Sequence, residues 1–236
     1  MKKFNFDIVL PAYNPHVGWD VKVVENMKIL NNNFPDINFS LYIVNDGATR
    51  GYEKEKKGRI LLDYPDTQFI EYAVNRGKGY ALRYAIERTK SEYVIYTDYD
   101  FPYTLNSMKI TINSLISGAD VVVAVRNLDY QHNLPPIRKY LSFSSHLLNR
   151  YFLRLKIKDT QGGLKGFNSN GKEIFLRTKI NSFLFDTEFI YKATRNNQIK
   201  IAVVDAMIKP GLKVSKMGMK VLTKEFFNLF RIVLNV

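Results

Sequence analysis

The chain contains no cysteine in 236 residues. That excludes a disulfide framework and any cysteine-ligated metal site, and it fits a reducing compartment. Long apolar runs are missing too. No segment approaches the roughly 18 uncharged apolar residues that a membrane-spanning helix needs, so a soluble or surface-bound chain is expected. Met1, Lys2 and Lys3 are followed by apolar residues, but Asn5 and Asp7 interrupt them before a signal-peptide core forms. This opening stretch reads as a first strand. Internal repeats, low-complexity tracts and Gly/Ser-rich linkers are absent. So are zinc-finger, RNP-like and helix-turn-helix segments, and the GxxxxGK[ST] spacing of a Walker loop.

What remains is the composition of a folded chain. Apolar residues make up 46% and charged residues 24%, enough to bury a core. Thirty-five Lys and Arg against 22 Asp and Glu give a formal charge of +13. Such a surplus implies either a polyanionic partner or a generally basic surface.

The first half alternates β-branched runs at 6–13, 39–46, 69–74, 93–98 and 119–126 with helical stretches at 21–32, 52–62, 79–90 and 105–117. Strands separated by helices of this length predict βαβ units and a mostly parallel sheet flanked by helices. In the second half, Pro135-Pro136 opens a helix expected over 137–155. A glycine-rich turn at 162–166, a helix near 186–196, a strand at 199–204 and a helical tail at 221–236 follow. The expected organisation is one α/β domain, with a nucleotide half at 1–126 and an acceptor half at 127–236.

Open α/β sheets bind ligands beyond the carboxyl ends of their strands. The polar residues at those ends here are Asn14, Asn45-Asp46, Asn75-Arg76, Asp98-Tyr99-Asp100 and Arg126. In an extended segment residues i and i+2 point the same way, so Asp98 and Asp100 can face one ion. Their oxygens suit Mg²⁺ or Mn²⁺ bridging a substrate diphosphate; an Asx-rich turn is the plainer alternative. Asn75-Arg76-Gly77-Lys78-Gly79 leads into a helix, where Lys78 and the helix N-terminus favour a diphosphate, or make an ordinary βα turn. Asp46 can meet a ribose or base, or simply precede the tight turn at Gly47. Asp159-Thr160-Gln161-Gly162-Gly163 carries more hydrogen-bonding capacity than a connector needs. In Phe185-Asp186-Thr187-Glu188 the two acids suit a helix start and could serve as caps alone.

In this order and spacing, these segments resemble the family 2 glycosyltransferases of GT-A (Rossmann-like) fold. Closest is the branch making dolichyl- and other polyprenyl-phosphate sugars, its glucosyl members above its mannosyl ones. The resemblance covers about residues 8–208. It implies that Pro11-Ala12-Tyr13-Asn14 and Asp46 hold the nucleotide, that Lys78 lies near the diphosphate, and that Asp98 and Asp100 form the sugar-nucleotide and metal motif, with Asp100 on the ion. Asp159 and Gln161 then belong to the acceptor side, and Asp186 and Glu188 to an acidic motif that meets sugar or acceptor. Arg126, Arg138 and Ser142 match the positions that hold a lipid phosphate. The chain departs from the family pattern at Pro15, Asn45, Ala48 and Tyr99.

The activity so implied is inverting transfer of a hexose, glucose favoured, from a UDP-sugar to a polyprenyl phosphate. It would use Mg²⁺ or Mn²⁺ at the cytoplasmic face of a membrane, with the chain peripheral to it. A lipid phosphate needs cationic positioning, which planar arginine forks provide; a hydroxyl acceptor needs a general base, for which Asp159 and Asp186 are the candidates. Basic amphipathic stretches at 140–158 and 221–236 suit a membrane surface, or equally a core or a homo-oligomer contact. The rival activities are transfer to a glycan or other hydroxyl, a basic lipid- or nucleic-acid-binding module, and nucleotidyl transfer. Nucleic acid is not the expected partner, because the paired aspartates would repel its phosphates.

Overall fold

A computed structural model describes residues 3–126, 157, 159–182, 184–210, 228 and 232. The helix expected over 137–155, with Arg138 and Ser142, and most of the expected tail helix lie outside the described residues.

Four βα repeats and a fifth strand make up the first half: β1 (Phe4–Ala12), β2 (Ile37–Asp46), β3 (Gln68–Tyr72), β4 (Tyr93–Tyr96) and β5 (Val121–Arg126). Between them run α1 (Trp19–Asn33), α2 (Lys54–Asp63), α3 (Lys78–Ile86) and α4 (Leu105–Ile116). The later elements are β6 (Lys165–Phe167), α5 (Ser169–Leu176), α6 (Phe185–Thr194) and β7 (Ile201–Ala206). Among the described residues the seven strands form one sheet in the order β3-β2-β1-β4-β6-β5-β7. The β3–β2, β2–β1, β1–β4 and β5–β7 pairs are parallel, and β6 alone runs antiparallel to both of its neighbours.

The alternation of each strand sorts the core into two layers. Phe6, Ile8 and Leu10 of β1 and Val122 and Ala124 of β5 face α1 and α4, against Trp19, Val23, Met27, Met108, Ile112 and Leu115. Val9, Val94, Tyr96, Val121 and Val123 face α3, α5 and α6, against Leu82, Ile86, Phe175, Phe185 and Phe189. Because both faces are covered, the central strands read as nearly continuous apolar runs.

The turn expected at 162–166 is in part a strand. Lys165-Gly166-Phe167 pairs with both β4 and β5, and α5, which the sequence reading did not anticipate, follows at once. Period 2 puts Phe167 in the α6 layer and turns Gly166 toward α4. A Cβ at Gly166 would lie 2.7 Å from Leu115 Cδ1 and 3.2 Å from Ile95 Cγ1, so the glycine is a packing requirement. Asn168 caps α5 by accepting from the Asn170 and Gly171 amides at 3.0 and 3.2 Å. Asp120 accepts from Asn168 and Asn170 at 2.8 and 2.9 Å and from the Lys200 amide at 2.8 Å, tying β5, α5 and the entry to β7 together.

Beyond β7 the chain returns under the end of β4. The Thr104 amide donates to Met207 O at 3.0 Å and the Lys209 amide to Pro102 O at 2.8 Å. Of the expected tail, Ile232 is buried in the α3–α6 layer and Asn228 donates to Ser182 Oγ at 2.6 Å.

Gly166→Ala should fold with the same topology but lose about 1–3 kcal/mol, the usual cost of overpacking a close-packed site. Urea denaturation measures it; an unchanged midpoint would refute the packing argument.

Candidate active site

The loops at the carboxyl ends of the strands are fastened to one another by side chains, strand by strand. After β1, Asn14 adopts φ 46° and its Oδ1 accepts from the Thr49 and Arg50 amides at 2.9 and 3.2 Å. Pro15 follows and is buried. Its carbonyl lies where a Cβ on Gly51 would stand, at 2.2 Å, so proline and glycine fit each other. Trp19 completes this corner, stacking on Tyr52 at 5.4 Å and donating from Nε1 to Gly51 O at 2.7 Å. Of the Pro11-Ala12-Tyr13-Asn14 run, Ala12 is buried and Tyr13 is half exposed.

Asp46 ends β2 and is buried. Its Oδ1 accepts from Tyr72 OH at 2.9 Å and the Arg76 amide at 2.8 Å. Its Oδ2 accepts from Asn75 Nδ2 at 2.9 Å and the Gly77 amide at 3.0 Å. Four donors from the chain itself saturate this carboxylate, and together they set the loop that aims Lys78. Asn45, where the family pattern has an acid, accepts from the Ala48 amide at 2.7 Å and closes the turn.

Lys78, at the start of α3, places its ammonium on Asp98 Oδ1. Burial works to lower the Lys78 pKa, and Asp98, Asp186 and Asp100 together override it, so the pKa lies above the ordinary lysine value. Asp100 is pushed up from the usual carboxylate range, first by burial and then by the Asp98 charge. Phe101 follows at φ 46°, and its amide donates to Asp98 O at 2.9 Å, bending the chain sharply behind the two acids. Tyr99, bulkier than the small residue usual between such acids, turns the other way and meets the Trp19 ring edge-on at 6.3 Å.

The second half of the sheet brings two more acids. Arg126 ends β5 and grips Asp159 with both arms of its fork, Nε to Oδ2 at 2.7 Å and NH2 to Oδ1 at 2.9 Å. Burial would raise the Asp159 pKa, but the Arg126 guanidinium holds it below the usual range. The Gln161 amide donates to Asp159 Oδ1 at 3.2 Å. Asp186, in the first turn of α6, is buried and lies 2.8 Å from Lys165 Nζ. Tyr96 OH donates to the same Asp186 oxygen. Thr160 and Thr187 join the two segments, hydroxyl to hydroxyl, at 2.8 Å.

The structure therefore brings Lys78, Asp98, Asp100, Asp159, Gln161 and Asp186 to one end of the sheet, across β4, β6 and β5. Asp46 lies behind them and supports the Lys78 loop. Glu188 is turned elsewhere: its carboxylate accepts from the Lys179 amide at 2.9 Å and the Ile180 amide at 2.8 Å, fixing the segment that covers α3. Arg138 and Ser142 fall outside the described residues. Sequence reasoning missed Lys165 and Tyr96. Only Lys165 left a trace, as a lone cation between Leu164 and Phe167 in a short apolar run.

The donor set suits a hard divalent cation. Two carboxylates lie close in the chain, and burial, with the Asp98 charge second, disfavours the ionised form of Asp100. Among the described residues no three His, Cys, Asp or Glu cluster to hold an ion, so phosphates and water would complete its shell, the usual habit of Mg²⁺.

This sheet, with ligand groups at its strand ends and one antiparallel strand inside, is the GT-A glycosyltransferase fold. Glucosyl-3-phosphoglycerate synthase from Mycobacterium tuberculosis, solved with Mn²⁺, UDP and glucosyl-3-phosphoglycerate, superposes with a TM-score of 0.68 at 13% identity, covering 98% of this chain and 79% of that one. A mannosyltransferase from Pyrobaculum calidifontis, solved with GDP-Man and Mn²⁺, gives 0.61 at 16% identity over 96% of this chain and 64% of that one. Residues 7–181 match the family model described as glycosyl transferase family 2, and the chain belongs to that family. Among its relatives, a dolichyl-phosphate beta-glucosyltransferase of Trichomonas vaginalis is 26% identical over 80% of this chain, and one of Saccharomyces cerevisiae is 26% identical over the same share. The chain spans 61% and 62% of the length of these two relatives.

Asp46→Asn should cost about 1–3 kcal/mol, because an amide cannot accept from all four donors and leaves buried N–H groups unpaired. Thermal unfolding measures it, and an unaltered transition would refute the anchoring role. Asp159, with its depressed pKa, contributes stability above the ordinary carboxylate pKa of about 3.9 and loses it as pH falls through its folded value. In Asp159→Asn, melting temperature followed from pH 7 down to 3 should therefore fall less steeply than in the wild type; parallel curves would contradict this.

Proposed function

We propose that this chain is an inverting, metal-dependent hexosyltransferase that moves a sugar, glucose favoured, from a UDP-sugar to a polyprenyl phosphate at the cytoplasmic membrane surface. The observation that carries the reading is the convergence of Lys78, Asp98 and Asp100 with Asp186 at the strand ends. A cation-seeking acid pair and a lysine stand on the donor side, and a buried carboxylate stands across from them. The names of the Trichomonas and yeast relatives support the lipid phosphate and the glucose, and the Mycobacterium structure supports UDP and a divalent ion.

In this reading Asp100 and Asp98 hold Mg²⁺ or Mn²⁺, which when bound neutralises the departing diphosphate. Lys78 adds a fixed positive charge beside it. The loops strapped at Asn14 and Asp46 would form the floor for the nucleoside. Asp186 faces the sugar. Arg126 stands at the acceptor side, and with Arg138 and Ser142 it would receive the lipid phosphate. Among the described residues no helix is long and apolar enough to cross a membrane; contact with lipid would come from the basic amphipathic stretch at 140–158.

A second reading, transfer to a hydroxyl, has one observation in its favour. The Arg126 fork is already paired with Asp159.

The test is a donor screen. Purified protein receives Mg²⁺ or Mn²⁺, one nucleotide-sugar at a time, and undecaprenyl phosphate in detergent, and released nucleoside diphosphate is measured. Release should require UDP-sugar, lipid phosphate and metal together, and Asp100→Asn should reduce it by about 100-fold or more, the scale of removing a charge-stabilising group. Release without lipid selects the hydroxyl reading. Absence of both release and nucleotide binding across all donors overturns the proposal.

A further inference from the structure

The short strand β6 sets Lys165 opposite Tyr96 of β4 and Val123 of β5. Residues directly opposite in a sheet share a face, and this face is covered by α6, with Asp186 in its first turn. The Lys165 side chain has no accessible surface. Its ammonium is 2.8 Å from Asp186 Oδ1 and also donates to the Gly162 carbonyl. The peptide joining Gly162 to Gly163 is pinned at its other end as well, where the Gly163 amide donates to Tyr103 OH at 2.6 Å. Gly163 in turn stands against the donor side: a Cβ there would lie 2.7 Å from Asp98 Oδ2.

A single ammonium thus fixes the carboxylate on one side of the site and the peptide that walls Asp98 on the other. Its surroundings are aromatic and aliphatic, with Phe167 and Phe185 in the same layer. Burying a charge there is costly, and replacing both members of the pair by apolar residues of similar volume is often no worse for stability. The charge is retained for what it holds.

We propose that Lys165 is the positioning residue of the transfer site, locking Asp186 and the Gly162–Gly163 peptide into one arrangement around the bound sugar. This rests on the glycosyltransferase reading above. Lys165 acts through Asp186 and the peptide and touches neither donor nor acceptor.

The full chain and four variants are compared for kcat and donor KM in sugar transfer, with thermal unfolding to verify folding. Lys165→Met should lose about 100-fold in kcat with donor KM within about threefold, the split expected when orientation is lost and ground-state binding is not. Lys165→Arg, which keeps the charge, should recover at least about tenfold of that loss. Asp186→Asn should resemble Lys165→Met, and the double variant should be no worse than the poorer single one, as for residues acting as a unit. A purely structural lysine predicts instead that activity follows the melting temperature and that the arginine variant gains nothing. If Lys165→Met strands a buried carboxylate and fails to fold, the double variant is judged against Asp186→Asn: equal transfer supports the inference and a further loss overturns it. A folded Lys165→Met with wild-type kcat overturns the inference and leaves the glycosyltransferase reading intact. A wild-type chain that transfers no sugar overturns both.

Discussion

The pairing of Lys165 with Asp186 decides how the interior of this protein can be arranged. Neither group can leave the other without stranding a charge among aromatic rings, which is far costlier than making the pair. The pair ties the first turn of α6 to β6, and Lys165 also holds the Gly162 carbonyl of the loop before it. It also organises the charges around it. Asp159 sits between Arg126 and Lys165, and Asp186 between Lys165 and Lys78, with Asp98 beyond. Asp100 stands apart from these pairs, half-buried with Asp98 as its acidic neighbour.

Two aspartates at strand ends show how similar residues acquire different work. Asp46 closes β2, and Asp98 lies two residues beyond β4. Asp46 is enclosed by four donors and has become part of the scaffold, whereas Asp98 keeps an oxygen turned toward the Gly163 wall with a lysine on the other. The difference lies in the following loop. Asn75, Arg76 and Gly77 fold back over Asp46, while Phe101 at φ 46° carries the chain away from Asp98.

Much of the first half was legible because local pattern and tertiary role agree there. The apolar runs at 6–13 and 39–46 became β1 and β2 with ends shifted by a few residues, since both faces of a parallel sheet are covered and the run itself is the signal. The acids and amides at the strand ends lie where a parallel sheet puts them. The second half was harder to read. Lys165-Gly166-Phe167 is too short for a periodic signal, and its glycine is explained only by Leu115 and Ile95, remote in sequence. The helix Ser169–Leu176 begins with three polar or small residues that read as loop until the Asn168 cap is seen. The Arg126–Asp159 pair and the use of Glu188 on backbone amides depend on which residues the fold brings near, and residue spacing does not encode that.

The sheet is uneven in its mechanical continuity. On one side β1, nine residues long, is laced to β2 along its whole length, and β5 is laced to β7 along six residues. These two slabs are joined through β6, three residues wide. This ladder carries far fewer backbone hydrogen bonds than its neighbours, and α4 packs across it against β5, β6 and β7. Asp98 rides on one slab and Arg126 on the other. Under the proposed function, the gap from Asp98 to Arg126 is bridged by the narrowest ladder of the sheet, while the Asn14 and Asp46 loops belong wholly to the β1–β2–β3 slab.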